Sequence, residues 1–167
     1  ASVAATAVEQ AIRPSGVLPL IVIAGPTASG KTALAVRLAT QFGGEVICAD
    51  SRTVYRDMDI GTAKPTASEQ AAVPHWGLDI ASPGERFTAA QFQQYAQQKI
   101  AEIRARGRIP FLVGGTGLYI DAVIFDLAFA AGYDPQLRAK LQHMSLAQLT
   151  KHCIENNIPL PENSTNK

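Results

Sequence analysis

The chain has 167 residues, of which 47% are hydrophobic and 17% are charged, which excludes an intrinsically disordered protein and allows one globular domain with a buried core. The net charge of +1 neither requires nor excludes a nucleic-acid partner. Neither the two cysteines nor the three histidines have the spacing of a disulfide framework or a zinc site.

Residues 1–17 are rich in alanine and are predicted to form a tail or a short helix. They lack the charged start and the long apolar stretch of a secretory signal. No apolar run in the chain reaches the length of a membrane span, so we expect a soluble, cytoplasmic protein with no membrane partner.

The predicted fold is organised around a buried strand at 20–24, a phosphate-binding loop and a helix that follows at once. The loop reads Gly25-Pro26-Thr27-Ala28-Ser29-Gly30-Lys31-Thr32 and matches the pattern Gly-x-x-x-x-Gly-Lys-Thr. Backbone N–H groups and the positive end of the helix favour an anion, and Lys31 adds a full charge. Thr32 is placed to bind Mg²⁺ through its hydroxyl. The pattern predicts a phosphate site without identifying the phosphate compound.

A second buried strand is predicted at 45–49, and Asp50 follows it. Ligands of open parallel sheets bind at the carboxyl ends of the strands, so Asp50 is expected beside the phosphate loop. Next come a turn at 61–65, a helix at 68–73 and a short third strand or extended segment within 74–80. Lys64 is a candidate for an anion contact, and Asp79 is a candidate for a second carboxylate near the phosphates.

The clearest predicted helix runs from about 89 to 106, and it is followed by a buried strand at 109–113. That strand leads into a second glycine-rich loop, Gly114-Gly115-Thr116-Gly117, on the same edge of the sheet. Helices at 135–142 and 145–155 and a polar tail at 162–167 complete the chain. We therefore predict an α/β fold, a P-loop NTPase-like parallel sheet flanked by helices, with a tail at 1–17, a core at 18–130 and a short helical segment with the tail at 131–167.

The residues alone leave a kinase, a nucleotide hydrolase and a transferase open. A typical hydrolase has an apolar strand that ends in a magnesium-binding aspartate, whereas the strand at 109–113 ends in glycine. Small-molecule kinases of this architecture often have a carboxylate at the position of Asp50. The pattern favours a phosphate-handling transferase with Asp50 as the base.

Several motifs, taken together and in this order, resemble those of the tRNA dimethylallyltransferases. They are the phosphate loop, Asp50-Ser51-Arg52-Thr53-Val54-Tyr55, Gly61-Thr62-Ala63-Lys64-Pro65, the segment from Pro74-His75 to Asp79, and Gly114-Gly115-Thr116-Gly117-Leu118-Tyr119. The resemblance covers residues 20 to about 141.

The resemblance implies transfer of a dimethylallyl group from dimethylallyl diphosphate to the exocyclic amine of an adenine next to a tRNA anticodon. The phosphate loop would hold the diphosphate, with Mg²⁺ on Thr32 and Lys31 stabilising the charge of the leaving group. Asp50 would accept a proton from the amine or orient it. The implied contacts with the tRNA anticodon stem-loop are Asp50, Ser51, Arg52, Thr53, Thr116 and Arg138.

The chain departs from the family pattern at Thr53, where glutamine is usual, and at Trp76-Gly77, which replace a second histidine and its neighbour. The helical insert that holds the anticodon stem is reduced to about 134–157, so we expect a shortened or truncated member of the family. We also expect a monomer. The alternatives are an adenylate isopentenyltransferase acting on a free nucleotide, a P-loop small-molecule kinase consuming ATP, and a non-catalytic remnant that binds phosphate or RNA.

Overall fold

A computed structural model describes residues 3–12, 16–59, 61–62, 64–129 and 134–160. The described helices and strands are, in chain order, α1 (Val3–Ile12), β1 (Ile21–Ala24), α2 (Lys31–Phe42), β2 (Gly44–Cys48), α3 (Ala67–Ala72), β3 (His75–Trp76), α4 (Ala89–Ala105), β4 (Ile109–Gly114), α5 (Gly117–Ile124), α6 (Pro135–Gln142) and α7 (Leu146–Glu155). No described helix combines the length and the apolar character needed to cross a membrane.

The four strands form one parallel sheet in the order β1-β4-β2-β3. Ala24 lies opposite Gly114, and Cys48 lies opposite Val113. Because of this register, β1, β4 and β2 end at one edge of the sheet. Parallel strands need crossover connections, and here helices supply them and cover the faces. The predicted α/β fold with a parallel sheet flanked by helices is confirmed.

Alternating residues of the central strands divide the core between the two faces of the sheet. Phe111 belongs to a buried cluster that includes residues of α2, whereas Ile47 and Leu112 belong to a second cluster that includes Phe92 of α4 and residues of α5. All three strand residues are fully buried. Burial of each side chain of this size stabilises the fold by about 1.5–3 kcal/mol. The central strands β2 and β4 are therefore well anchored in the core.

Two predicted elements have different bounds in the structure. The helix after the phosphate loop starts at Lys31 and ends at Phe42, where Gly43 adopts a left-handed φ of 65°. Only His75 and Trp76 of the predicted segment at 74–80 pair as a strand. Gly77 has a φ of 82°, which lies outside the extended region, so the strand pairing ends before this residue.

The chain divides into two compact units, Ala1–Leu127 and Ala128–Lys167. The first unit contains the sheet with α1 to α5, and Ala5 and Val8 of α1 are buried in the cluster that includes Phe111. The helix predicted as one option for residues 1–17 is therefore present and packs against the core. The second unit contains α6 and α7, whereas the predicted tail at 162–167 lies outside the described residues.

Candidate functional site

The phosphate loop, residues 25–32, connects β1 to α2 at the carboxyl edge of the sheet. Gly30 has a φ of 80° and lies directly before α2, and Leu34 N donates to Gly30 O at 3.1 Å. Ser29 N donates to Pro26 O at 3.3 Å, which closes the turn. The first N–H groups of a helix have no partner within the helix, so the loop and the start of α2 together form a site that favours an anion.

Lys31 supplies the positive charge of this loop. Its Nζ donates to Pro26 O at 2.8 Å, so the side chain folds back towards the start of the phosphate loop. Lys31 and Thr32 are half-buried residues of the first turn of α2. The charge and the hydroxyl therefore both lie at the positive end of the helix, as predicted for a phosphate site.

Asp50 follows β2 at the same edge, and its loop is joined to the second glycine-rich loop. Asp50 Oδ1 accepts a hydrogen bond from Arg52 N at 2.9 Å, a local turn typical of aspartate. Ser51 N donates to Thr116 Oγ1 at 2.9 Å, and Thr116 N donates to Ala49 O at 3.2 Å. The loops after β2 and β4 thus form one bonded structure.

The close approach of the strand ends requires a glycine at Gly114, the last residue of β4, and leaves little room at Gly115. A Cβ atom on Gly114 would lie 2.0 Å from the carbonyl oxygen of Ala49. A Cβ atom on Gly115 would lie 3.1 Å from Gly25 O and 3.8 Å from Lys31 Nζ. The second glycine-rich loop therefore packs its backbone directly against β2 and the phosphate loop, which a side chain on Gly114 would prevent.

Two cavities open at this edge, and we call them the first and the second cavity. The first, of about 340 Å³, is lined by Thr27, Ala28, Ser29, Gly30, Lys31, Thr32, Ala33, Ala35, Val46, Cys48, Asp50, Thr53, Pro65, Glu69, His75, Val113 and Gly114. The second, of about 400 Å³, is lined by Pro26, Thr27, Asp50, Ser51, Arg52, Gly61, Thr62, Gly115 and Thr116. Thr27 and Asp50 line both, so they stand where the two cavities adjoin.

One part of the wall of the first cavity, formed by residues of β2, is apolar. Val46 is 2% exposed, and the Cys48 beside Asp50 is buried. Burial raises the pKa of the Cys48 thiol to about 12, and the negative charge of Asp50 adds to the rise. The thiol is therefore neutral near pH 7 and forms part of the wall, without the thiolate that reacts as a nucleophile.

His75 belongs to one of the motifs shared with the family, and it lines the first cavity, a position that was not predicted from the sequence. Its Nδ1 lies 2.9 Å from Val73 O, and its Nε2 is buried without a hydrogen-bond partner among the described residues. Burial lowers the pKa of the imidazole, despite the bond to Val73 and the nearby Glu69 carboxylate. The motif that contains His75 did not indicate this position, which depends on the pairing of β3 with β2.

The remaining residues that the sequence predicted for the site are Lys64, Asp79, Thr53 and Arg138. Lys64 Nζ forms ion pairs of 2.7 Å with both Asp59 and Asp79, and neither Lys64 nor Asp79 lines the two cavities. Burial alone would lower the pKa of Lys64, but the hydrogen bonds to Asp59 and Asp79 and the charges of these carboxylates together raise it. Thr53 is buried against the first cavity, and its hydroxyl donates to Asp50 O at 3.4 Å. Arg138 is an exposed residue of α6 in the second unit.

No cluster of three or more histidine, cysteine, aspartate or glutamate side chains suited to a metal ion occurs in the described part of the chain.

Known proteins with similar sequences cover a large part of this chain. Residues 53–158 match a family model described as IPP transferase. A tRNA dimethylallyltransferase of Anaeromyxobacter dehalogenans (strain 2CP-C) is 56% identical over 123 residues, which are 74% of this chain and 41% of the relative. A tRNA dimethylallyltransferase of Roseiflexus sp. (strain RS-1) is 63% identical over 107 residues, or 64% of this chain and 35% of the relative.

Two solved structures are also similar to this chain. The tRNA isopentenylpyrophosphate transferase of Bacillus halodurans superimposes with a TM-score of 0.64 at 45% identity, over 87% of this chain and 49% of that chain. A eukaryotic dimethylallyltransferase acting on tRNA gives a TM-score of 0.63 at 34% identity, over 71% of this chain and 31% of that one. The chain spans about two fifths of the length of the first curated relative.

Proposed function

Because the chain belongs to the IPP transferase family, we propose that it transfers a dimethylallyl group from dimethylallyl diphosphate to the exocyclic amine of an adenine next to a tRNA anticodon. The names of the relatives support the reaction class. The observation that carries the proposal for this chain is the position of Asp50 and Thr27 on the walls of both cavities. Two substrates that enter from different cavities would meet beside the Asp50 carboxylate.

The first cavity suits the diphosphate donor. The phosphate loop and Lys31 offer backbone N–H groups and a positive charge, and the wall formed by Val46 and Cys48 offers apolar surface to the prenyl group. A ligand with one strongly charged end and one apolar end matches this division. An apolar wall also keeps water away from an electron-poor allylic carbon.

The second cavity suits the adenine acceptor and its flanking nucleotides. Its wall includes Arg52, the hydroxyl-bearing Ser51 and Thr116, and the backbone of Gly115. Arg52 is exposed, so its charge is available to a phosphate of the RNA backbone. An adenine must leave its stack to reach a recessed carboxylate, and unpaired loop nucleotides, such as those of an anticodon loop, do so at the lowest cost.

The proposed reaction uses this arrangement as follows. The adenine nitrogen forms a bond to the first carbon of the prenyl group while the bond from that carbon to the diphosphate oxygen breaks, and its electron pair leaves with the diphosphate. Lys31 and the N–H groups of the loop stabilise the negative charge that builds on the leaving group. Asp50 accepts the proton that the amine loses. General-base assistance of this kind contributes about 10²–10⁴-fold to a rate.

Magnesium is part of this proposal. Thr32 would hold the ion through its hydroxyl, with diphosphate oxygens as further ligands, and the bound ion would neutralise part of the leaving-group charge. The position of Thr32 in the first turn of α2 and on the wall of the first cavity supports this assignment. The Asp50 carboxylate lines the same cavity and is a candidate for a water-mediated contact with the ion.

A transfer assay with labelled dimethylallyl diphosphate tests the proposal. The acceptors, offered in parallel with Mg²⁺, are an unmodified anticodon stem-loop RNA, AMP, and none. We expect label in the RNA. Label in AMP alone would assign the chain to the adenylate branch, and phosphorylation of a small molecule with ATP in the absence of prenyl transfer would assign it to the kinases.

A further inference from the structure

Part of the wall of the second cavity does not come from a strand end. The loops that directly follow β1, β2 and β4 supply most of its lining residues, namely Pro26, Thr27, Asp50, Ser51, Arg52, Gly115 and Thr116. Gly61 and Thr62 instead lie further along the connection from β2 to α3. The contacts of this connection therefore decide where that part of the wall lies.

Lys64 supplies such a contact two residues after Thr62. Its Nζ donates to Asp59 Oδ1 and to Asp79 Oδ1, both at 2.7 Å. The side chain of Lys64 is only 8% exposed, so its ammonium group is largely withdrawn from water and depends on these carboxylates. Asp59 belongs to the same connection, but Asp79 lies beyond β3. The bond to Asp79 therefore ties the connection to another part of the chain.

Asp79 is in turn fixed to the loop that carries Asp50. Its backbone N donates to Thr53 O at 3.3 Å, and its backbone O accepts from Arg56 Nε at 2.9 Å. Thr53 is 3% exposed, and its hydroxyl donates to Asp50 O at 3.4 Å. The series of contacts that begins at Lys64 and passes through Asp79 and Thr53 thus ends at the proposed base.

The segment around Lys64 also reaches the first cavity. Pro65 directly follows Lys64, is buried and lines the first cavity, and its O accepts from Gln70 Nε2 at 2.8 Å. Residues 61–65 therefore pass from the wall of the second cavity to the wall of the first. Lys64 lies between these two walls, at the point where an ion pair fixes the segment relative to both.

We propose that Lys64 is a positioning residue for the acceptor. Through its ion pair with Asp79 it holds Gly61 and Thr62 in place on the wall of the second cavity, so that the adenine amine reaches the Asp50 carboxylate. The inference rests on the proposed function, since it takes the second cavity as the acceptor site. Lys64 itself touches neither substrate and transfers no proton.

The effect of this ion pair should appear in transfer more than in folding. Asp79 is 52% exposed and Asp59 is 77% exposed, so both carboxylates stay hydrated when the lysine charge is removed. Ion pairs with exposed partners contribute little to the stability of a protein. A displacement of about 1 Å in a reacting group, by contrast, can lower a rate by about 100-fold.

Lys64→Met tests the proposal, because methionine keeps an unbranched apolar side chain and removes the charge. We expect kcat/KM for the anticodon stem-loop RNA to fall by about 10-fold or more, while the dissociation constant for inorganic diphosphate changes by no more than about 2-fold. The melting temperature should fall by no more than about 4 °C. Lys64→Arg keeps the charge and should restore most of the transfer. An unchanged kcat/KM in Lys64→Met would overturn the proposal.

The two carboxylates provide a matched pair of further variants. Asp59→Asn changes the partner that does not lead to Thr53, and transfer should stay within about 2-fold of wild type. Asp79→Asn weakens the bond that does lead there, while asparagine tolerates the left-handed φ of 55°. Its kcat/KM should fall, and adding Asp79→Asn to Lys64→Met should cause no further loss. Equal effects of the two asparagine variants would contradict the proposal.

The salt dependence of RNA binding separates positioning from a direct contact with the RNA. A lysine that binds a phosphate contributes about one unit to the slope of log affinity against log salt concentration. We expect Lys64→Met to bind the RNA more weakly with an unchanged slope. A slope smaller by about one would mean that Lys64 contacts the RNA itself, and it would overturn the positioning role.

The same assays distinguish this inference from the proposed function. If the wild-type chain transfers no label to the RNA, the proposed function fails and the role of Lys64 falls with it. If wild type and Lys64→Met transfer label equally well, the proposed function stands and the inference about Lys64 is wrong.

Discussion

Thr116 Oγ1 accepts a hydrogen bond from Ser51 N at 2.9 Å, across 65 positions of the sequence. The bond joins the loop that follows β2 to the loop that follows β4. Both residues line the second cavity with Asp50, so this bond fixes one wall of the proposed acceptor site relative to the proposed base. The position of the Asp50 loop therefore depends on a hydroxyl that belongs to a different strand end.

Thr116→Val removes this hydroxyl and keeps the shape of the side chain. We expect the free energy of unfolding to fall by about 0.5–1.5 kcal/mol, the net value of one such bond, and the affinity for anticodon stem-loop RNA to fall with it. Thr116→Ser keeps the hydroxyl and is the control. Urea unfolding and an RNA titration measure the two effects, and a valine variant equal to the serine variant in both would refute the role of the bond.

Gly114→Ala should disrupt the strand ends. The added methyl carbon would lie 2.0 Å from Ala49 O, a backbone atom that cannot move without breaking the pairing of β2 with β4. We expect a loss of about 3 kcal/mol or more in the free energy of unfolding. Gly117→Ala is the matched control, because nothing lies within 4 Å of a Cβ atom there. Similar melting temperatures for the two variants would contradict this geometry.

Glu45 links β2 to the end of α4 and should make the stability depend on pH. It is 3% exposed, accepts from Trp76 Nε1 at 2.7 Å and pairs with Arg106 at 2.8 Å. Burial alone would raise the pKa of this carboxyl, but the bonds from Arg106 and Trp76 and the charges of Arg106 and Arg108 outweigh it and lower the pKa.

A carboxyl with a lowered folded-state pKa stabilises the protein at a pH above its unfolded pKa, near 4.3, and this contribution is lost as the pH falls through the folded value. Glu45→Gln should therefore lower the free energy of unfolding by about 1–3 kcal/mol at pH 7. The difference from wild type should shrink in acid. Glu102→Gln, which removes a carboxylate paired with Lys99, is the control and should have a much smaller effect. A difference between Glu45→Gln and wild type that does not depend on pH would argue against the ionised pair.

Lys31→Ala should weaken the binding of inorganic diphosphate. A hydrogen bond to a charged group is worth about 1.5–3 kcal/mol, which corresponds to roughly 10- to 100-fold in affinity. Lys99→Ala removes a lysine that pairs with Glu102 outside both cavities and serves as the control. Equal affinities of the Lys31 and Lys99 variants in a direct titration would remove Lys31 from the phosphate site.

The sequence was sufficient to predict the edge of the sheet where the site lies. The pattern of Lys31 and Thr32 after a glycine-rich turn identifies an anion site by itself, and Asp50 follows a buried strand. Because parallel strands end at a common edge, these residues had to lie close together in any sheet of this class. The structure places Lys31, Thr32 and Asp50 on the wall of one cavity.

Features that depend on strand order could not be predicted in the same way. The pairing of Val46 with His75 brings His75 to the wall of the first cavity, and the motif that contains His75 does not indicate this position. The same holds for Glu45, whose partners Trp76 and Arg106 lie 31 and 61 positions away. Asp79 follows an extended segment, but its φ of 55° and its ion pair with Lys64 belong to a separate turn outside both cavities.

The measurement that tests the central claim most directly compares Asp50→Asn with the wild-type chain in two assays, prenyl transfer to anticodon stem-loop RNA and binding of inorganic diphosphate. If Asp50 accepts the amine proton where the two cavities adjoin, turnover should fall by about 100-fold or more while the dissociation constant for diphosphate changes by no more than about 2-fold. An unchanged rate of transfer in the Asp50→Asn variant would contradict the account.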